Sequence, residues 1–165
     1  MRALPIISLR ETATCMSRIN RWAGKGAFAL SIAQHSALLS YSVPRRLRLA
    51  AVLHDLSEVS LGGDVISVYK DKCPDLQREE ERIQRAIFSQ YDVPWEHMEE
   101  LHPFDLAIRF DERAALWPND QKAQLEKQAY GLGVPVEPMI AEHAAEAWLW
   151  ALCHHYFGDD GHVFH

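Results

Sequence analysis

The chain has 165 residues, of which 48% are hydrophobic and 24% are charged, and its formal net charge is −6. This composition excludes an intrinsically disordered chain, and the negative charge provides no general attraction to the backbone of duplex nucleic acid. The length fits one domain around one core, and no run approaches the roughly 18 apolar residues that a membrane span needs.

The N-terminus and the cysteines indicate the compartment. Residues 1–7 contain one arginine and too short an apolar run for a signal peptide. Cys15, Cys73 and Cys153 are widely separated and form no CxxC pair, which is typical of reduced thiols. We therefore expect a cytoplasmic protein.

Apolar residues recur at helical spacing through most of the chain, and glycine and proline interrupt that spacing. The predicted helices span residues 8–22, 31–41, 45–60, 75–91, 103–116 and 137–157. Pro44 and Pro103 are expected to open helices at the first turn. Residues 121–138 are predicted to be an irregular connection and residues 158–165 a loose tail. No segment alternates as a strand would, so the sequence predicts an all-α fold.

The apolar segment 50–59 carries the first candidate site residues. His54 and Asp55 are adjacent, and Glu58 follows His54 by four residues, which places His54 and Glu58 on one face of a helix. Imidazole nitrogens and carboxylate oxygens are the usual ligands of borderline divalent metals, and a metal needs more than two of them. Further ligands must therefore come from other segments.

His35 is the first of these, because it interrupts an otherwise apolar helix. Such a histidine is more often a hydrogen-bonded core residue, but a short proline turn would bring it toward His54 and Asp55. The fourth ligand is expected on the helix 103–116. Asp111 is the leading candidate there, Asp105 competes with it, and a solvated helix face is the alternative for Asp111.

The ordered set His35, His54–Asp55 and Asp111 resembles the H…HD…D pattern of the HD-domain phosphohydrolases, an all-helical superfamily that depends on metal. Residues 17–24, 31–36 and 53–58 resemble consecutive blocks of small HD hydrolases from phage and prophage genomes. More distantly they resemble HD-type bacterial 5'-deoxynucleotidases and viral dATP triphosphohydrolases. The resemblance covers about residues 8–120.

The sequence departs from the family pattern at two points. Gly62–Gly63 places one extra residue before Asp64, where the family usually has a single Gly-Asp. Lys25 stands where the prophage group often has a histidine. Neither departure affects a predicted metal ligand.

The resemblance implies a single-domain helical bundle with a C-terminal helical extension over residues 121–157. It implies one divalent transition metal ion, Mn, Co, Fe, Ni or Zn, with additional Mg on substrate phosphates. The implied metal ligands are His35, His54, Asp55 and Asp111. Glu58 and Asp64 are assigned to catalysis, and Arg21, Trp22, Lys70 and Arg18 to substrate binding.

The function that these assignments predict is hydrolysis of small deoxynucleotides, as a nucleotidase on monophosphates or a triphosphohydrolase on triphosphates. The alternatives are a phosphodiesterase for a signalling nucleotide and a catalytically idle module that binds a nucleotide. We expect a homo-oligomer that contacts neither membrane nor duplex nucleic acid. If a phage encodes it, the host cytoplasm is its compartment.

Overall fold

The computed structural model describes residues 8–63 and 72–158. Within these ranges the backbone forms helices and no sheet, apart from one antiparallel bridge between Asn20 and Ser31. The α-helices are α1 (Leu9–Arg18), α2 (Ile32–Ser42), α3 (Arg48–Leu53), α4 (Ser57–Leu61), α5 (Pro74–Gln90), α6 (Glu96–Leu116), α7 (Gln121–Tyr130) and α8 (Ala141–Phe157). The turn Arg21–Gly24 precedes α2, and the 3₁₀ turn Arg45–Leu47 precedes α3. The all-α prediction is confirmed.

One core cluster is formed where α1, α2, α3 and α8 pack together. Trp148 on α8 is completely buried, and its indole N–H donates to the carbonyl of Val52 on α3 at 2.9 Å. The C-terminal helix, predicted as an extension of the domain, therefore supplies part of its core. In the described part of the chain, no helix combines the length and the apolar character that crossing a membrane requires.

The second core cluster involves α2, α6 and the 3₁₀ turn before α3. It contains Leu39, Leu47, Ile108 and Leu116, all nearly inaccessible to solvent. Helix α2 contributes to both clusters, so its sides are covered and His35 in its middle has no exposed surface. This burial fixes the position of that imidazole.

The predicted helix over residues 45–60 is interrupted at residues 54–56. There the Leu56 N–H donates to the Leu53 carbonyl and the Glu58 N–H to the Asp55 carbonyl, each at 3.1 Å, which is the tighter i to i−3 pattern. His54 and Asp55 therefore lie in a turn, and the regular four-residue spacing between His54 and Glu58 does not apply.

Gln84 on α5 stabilises this interruption. Its side-chain N–H donates to the Leu53 carbonyl at 2.8 Å, and its side-chain oxygen accepts from the Ser57 N–H at 3.3 Å. Gln84 is almost completely buried, so both backbone groups would otherwise be deprived of water. A side chain that inserts into a helical ladder is a known cause of such breaks.

Replacing Gln84 by Met keeps the length of the side chain and removes both hydrogen bonds. We expect the free energy of unfolding to fall by about 2–4 kcal/mol, because two buried backbone groups lose their partners. Urea unfolding of Gln84→Met measures this loss, with Gln90→Met on the exposed end of α5 as the matched control. Equal stability of the two variants would show that Gln84 does not support the turn.

Further boundaries differ from the sequence predictions, since α1 ends at Arg18 and not at residue 22, and α8 begins at Ala141 and not at residue 137. Pro103 was expected to open a helix, but it lies inside α6, where Leu101, Ile108 and Leu116 are buried along one side. Residues 121–138 were expected to be irregular, but α7 occupies the first ten of them. Its start is set by Asp120, whose side chain accepts from the N–H groups of the second and third helical residues at 3.0 and 3.2 Å.

Candidate metal centre

Three segments bring ligand-type atoms to one point. His35 comes from α2, His54 and Asp55 from the turn after α3, and Asp105 from α6. His35 Nε2 lies 3.2 Å from His54 Nε2 and 3.1 Å from Asp105 Oδ1. The distance from His54 Nε2 to Asp105 Oδ1 is 3.8 Å. Asp55 approaches the same nitrogens, with one oxygen 3.2 Å from His54 and the other 3.6 Å from His35.

The imidazoles form the closed end of the centre and the carboxylates its mouth. His35 is fully buried and His54 nearly so, whereas the side chains of Asp55 and Asp105 are 16% and 24% exposed. A ligand can therefore reach the carboxylates from solvent while the histidines remain fixed by the core.

The partners of the Nδ1 atoms set the direction of the Nε2 lone pairs. His35 Nδ1 lies 2.5 Å from Glu112 Oε1, and His54 Nδ1 lies 2.8 Å from the carbonyl oxygen of Ala51. Both partners are acceptors, so each Nδ1 must donate. In the neutral imidazoles the Nε2 lone pairs then point at each other and at the carboxylates, the usual arrangement for metal-binding histidines.

Such a group of acceptors requires a cation or a proton between its members. The buried Oδ1 of Asp105 has no hydrogen bond of good geometry to any described residue. Ligands at about 2.1 Å from a metal lie roughly 3.0–3.4 Å from one another, close to most of the separations at this centre. Two imidazole nitrogens and carboxylate oxygens therefore fit a divalent transition metal.

The pKa shifts of His35 and Asp105 also indicate a site that favours positive charge. Burial lowers the pKa of His35, as does the charge of Arg21, but Glu112 and Asp105 outweigh them and raise it to about 9. Burial raises the pKa of Asp105, yet the close approach of the His35 and His54 imidazoles holds that pKa well below the usual range. The centre therefore attracts positive charge.

Metal affinity should depend on pH because an ion at His35 Nε2 must displace a proton. With the His35 pKa at about 9, apparent affinity should rise about tenfold per pH unit between pH 6.5 and 8.5 and level off above 9. Calorimetric titration with Mn²⁺ in buffers of different ionisation enthalpy measures both the affinity and the protons released. Affinity that is independent of pH would place the ion away from His35.

Among the described residues, the group of side chains that could hold a metal contains Asp105 and not the predicted ligand Asp111. Asp111 is fully buried, but its carboxylate accepts from the N–H groups of Leu132 at 2.7 Å and Gly133 at 3.1 Å. Six residues along a helix correspond to a rotation of about 240°, so Asp105 and Asp111 point to different sides of α6. Asp105, the competing candidate, lies at the centre, and Asp111 fixes the segment that follows α7.

Glu112 was not predicted as a site residue. It is fully buried, and in addition to His35 it accepts from Arg21 Nε at 3.1 Å and from Trp22 Nε1 at 3.0 Å. Burial raises its pKa, but the charges of Arg21 and His35 lower it to about 2. The available signal was its distance of seven residues from Asp105, which places the two carboxylates on one face of α6.

Arg21 and Trp22 lie beside the centre. Arg21 is 9% exposed, and besides Glu112 it contacts Asp55, with Nη1 and Oδ2 3.4 Å apart. The Trp22 ring meets Trp117 edge-on, with centroids 5.5 Å apart. Their contact with a substrate stays a prediction.

The other predicted residues are less informative. Arg18 is exposed in the last turn of α1, and Glu58 is buried in the first turn of α4. Asp64 and Lys70 lie outside the described residues. Their assigned roles stay predictions.

A cavity of about 340 Å³ opens at the mouth of the centre. His54, Asp55 and Asp105 line it, as do Trp95, Met98 and His102. The exposed carboxylate oxygens therefore face a space large enough for a small molecule.

Comparison with family models finds none that matches this chain. Among curated proteins, the uncharacterized protein YfdR of Escherichia coli (strain K12) is 34% identical over 88 residues. The matched segment is 53% of this chain and 49% of that protein, so the chain spans about half the length of this relative. The name of the relative states no activity.

Proposed function

We propose that this protein is a metal-dependent phosphohydrolase that acts on small deoxynucleotides. The observation that carries the proposal is the convergence of His35 Nε2, His54 Nε2 and Asp105 Oδ1 within 4.8 Å of one another, with Asp55 beside them. The resemblance to the HD-domain phosphohydrolases supports the reaction type. The nearby Arg21 and Trp22 support a nucleotide substrate.

His35, His54, Asp55 and Asp105 would hold the ion. When bound, a divalent ion supplies Lewis acidity toward a phosphate oxygen and lowers the pKa of a water. Glu112 keeps the Nε2 atom of His35 available by accepting a hydrogen bond from its Nδ1–H. Glu58, which we assign to proton transfer, follows Asp55 by three residues and would accept the proton of the attacking water.

The cavity favours a mononucleotide as the substrate. Its volume of about 340 Å³ lies at the lower end of the roughly 300–1,000 Å³ typical of small-molecule sites. A dinucleotide substrate of a phosphodiesterase would need a longer groove.

The three cysteines are all free, which supports our assignment of the protein to the cytoplasm.

A substrate panel tests the proposed function. Deoxy- and ribonucleotide mono-, di- and triphosphates and cyclic dinucleotides are incubated with Mn²⁺, Co²⁺, Ni²⁺, Zn²⁺ or Fe²⁺. Phosphate, pyrophosphate and triphosphate are measured separately, since the leaving group names the reaction. We expect release of phosphate or triphosphate from deoxynucleotides, and loss of that activity with a chelator.

Three results would contradict the proposal. Cleavage of cyclic dinucleotides alone would indicate a phosphodiesterase. Nucleotide binding without turnover with any metal would indicate an idle module. Equal turnover in excess chelator would remove the metal from the mechanism.

A further inference from the structure

One buried carboxylate connects the metal centre to the turn Arg21–Gly24. Glu112 accepts from His35 through Oε1 and from Arg21 and Trp22 through Oε2. The position of His35 and the position of the turn therefore depend on the same group.

The turn has a backbone that needs external support. Trp22 and Ala23 have φ values of 55° and 53°, in the left-handed region that side chains other than glycine rarely adopt. Two such residues in sequence persist only where their surroundings hold them. Besides Glu112, the support comes from the Arg21 N–H, which donates to the Leu30 carbonyl at 2.8 Å, and from the ring of Trp117.

Arg21 completes a closed circuit of contacts. Its Nη1 reaches Asp55 Oδ2 at 3.4 Å, and the same oxygen lies 3.6 Å from His35 Nε2. Contacts thus run from His35 to Glu112, to Arg21, to Asp55 and back to His35. Two of these four residues are predicted metal ligands, and a third belongs to the turn.

We propose that Glu112 is a positioning residue that couples metal occupancy to the position of Trp22. The inference rests on the proposed function, because it requires an ion at His35 and Asp55. An ion at Nε2 fixes the orientation of the His35 ring, and the hydrogen bond from its Nδ1–H to Glu112 must adjust to that orientation. The same ion attracts the Asp55 carboxylate away from Arg21 Nη1. The hydrogen bond that Arg21 donates to Glu112 Oε2 should therefore change as well. The turn is then held differently with the ion and without it.

Trp22 provides the measurement, since its indole N–H is one of the bonds in question. Zn²⁺ is titrated into the full chain while tryptophan emission is recorded, and calorimetry gives the affinity. The variants are Glu112→Gln, which keeps the shape but loses the charge, and Trp22→Phe, which removes the reporter. Glu126→Gln is the matched control, because Glu126 pairs with Arg113 away from the centre. The visible spectrum of bound Co²⁺ reports the geometry of the ligands.

We expect an emission change that saturates at one ion in the unaltered chain and in Glu126→Gln. Trp22→Phe should lose most of that change. Glu112→Gln should bind the ion about 10–100-fold more weakly, show an altered Co²⁺ spectrum and lose the Trp22-dependent change. If Glu112→Gln does not fold, Arg21→Gln breaks the circuit at Asp55 and should reduce the Trp22-dependent change at saturating ion.

An unaltered affinity, Co²⁺ spectrum and emission change in folded Glu112→Gln would overturn the coupling and leave the proposed function intact. If Glu112→Gln does not fold, an unaltered emission change in Arg21→Gln would overturn the coupling instead. If the unaltered chain binds neither Zn²⁺ nor Co²⁺, the coupling and the proposed function both fail.

Discussion

Asp105→Ala is expected to lose metal binding and hydrolysis together, whereas Asp111→Ala should keep the ion. Asp105 supplies an oxygen 3.1 Å from His35 Nε2, and its charge helps to hold a cation. Loss of groups that merely support a ligand already costs 10–100-fold in affinity, so loss of this ligand should weaken binding at least about 100-fold. Calorimetric titration with Mn²⁺ measures the affinity, and phosphate release measures turnover.

Asp111→Ala should reduce the stability of the fold and not the affinity for the ion. Removing its carboxylate leaves the N–H groups of Leu132 and Gly133 without their acceptor, which should lower the free energy of unfolding by about 2–4 kcal/mol. Urea unfolding of the two variants therefore separates a ligand from a structural carboxylate. The reverse pattern, with metal lost in Asp111→Ala and retained in Asp105→Ala, would restore Asp111 as the ligand.

Glu58→Gln is expected to lower turnover by about 100-fold or more while the ion remains bound. The amide keeps the shape of the side chain but cannot accept a proton from the attacking water. Turnover and metal content are measured on the same preparation. Glu146→Gln, on an exposed position of α8, is the control for the loss of one negative charge.

Two results would change the role of Glu58. Loss of the ion in Glu58→Gln would make it a support of the ligands, since Glu58 follows Asp55 by only three residues. Unchanged turnover would remove it from the mechanism.

The helices that carry the centre were predictable because their apolar residues repeat at helical spacing. The approach of His35 to His54 and Asp55 was also predictable, since a short proline turn joins their helices. The interruption at His54 was not, because it depends on Gln84, a side chain that comes from α5 and replaces two backbone partners. The apolar spacing of residues 45–60 alone predicts a continuous helix.

The choice between Asp105 and Asp111 could not be made from the sequence. Both lie on α6 among apolar residues, and only the position of the Leu132 and Gly133 N–H groups identifies the partner of Asp111. The burial of Glu112 could not be predicted either, because charged Arg113 follows it and such neighbours are typical of a solvated helix face. Its partners His35 and Arg21 lie 77 and 91 residues away, a separation at which no periodic pattern connects them.

We propose that one divalent ion binds between His35, His54, Asp55 and Asp105. Crystals grown with Mn²⁺ and measured for anomalous scattering test it most directly. We predict a single strong peak about 2.0–2.3 Å from the Nε2 atoms of both histidines and from an oxygen of Asp105. A peak at Asp111, or no peak at the histidines at saturating Mn²⁺, would contradict the claim.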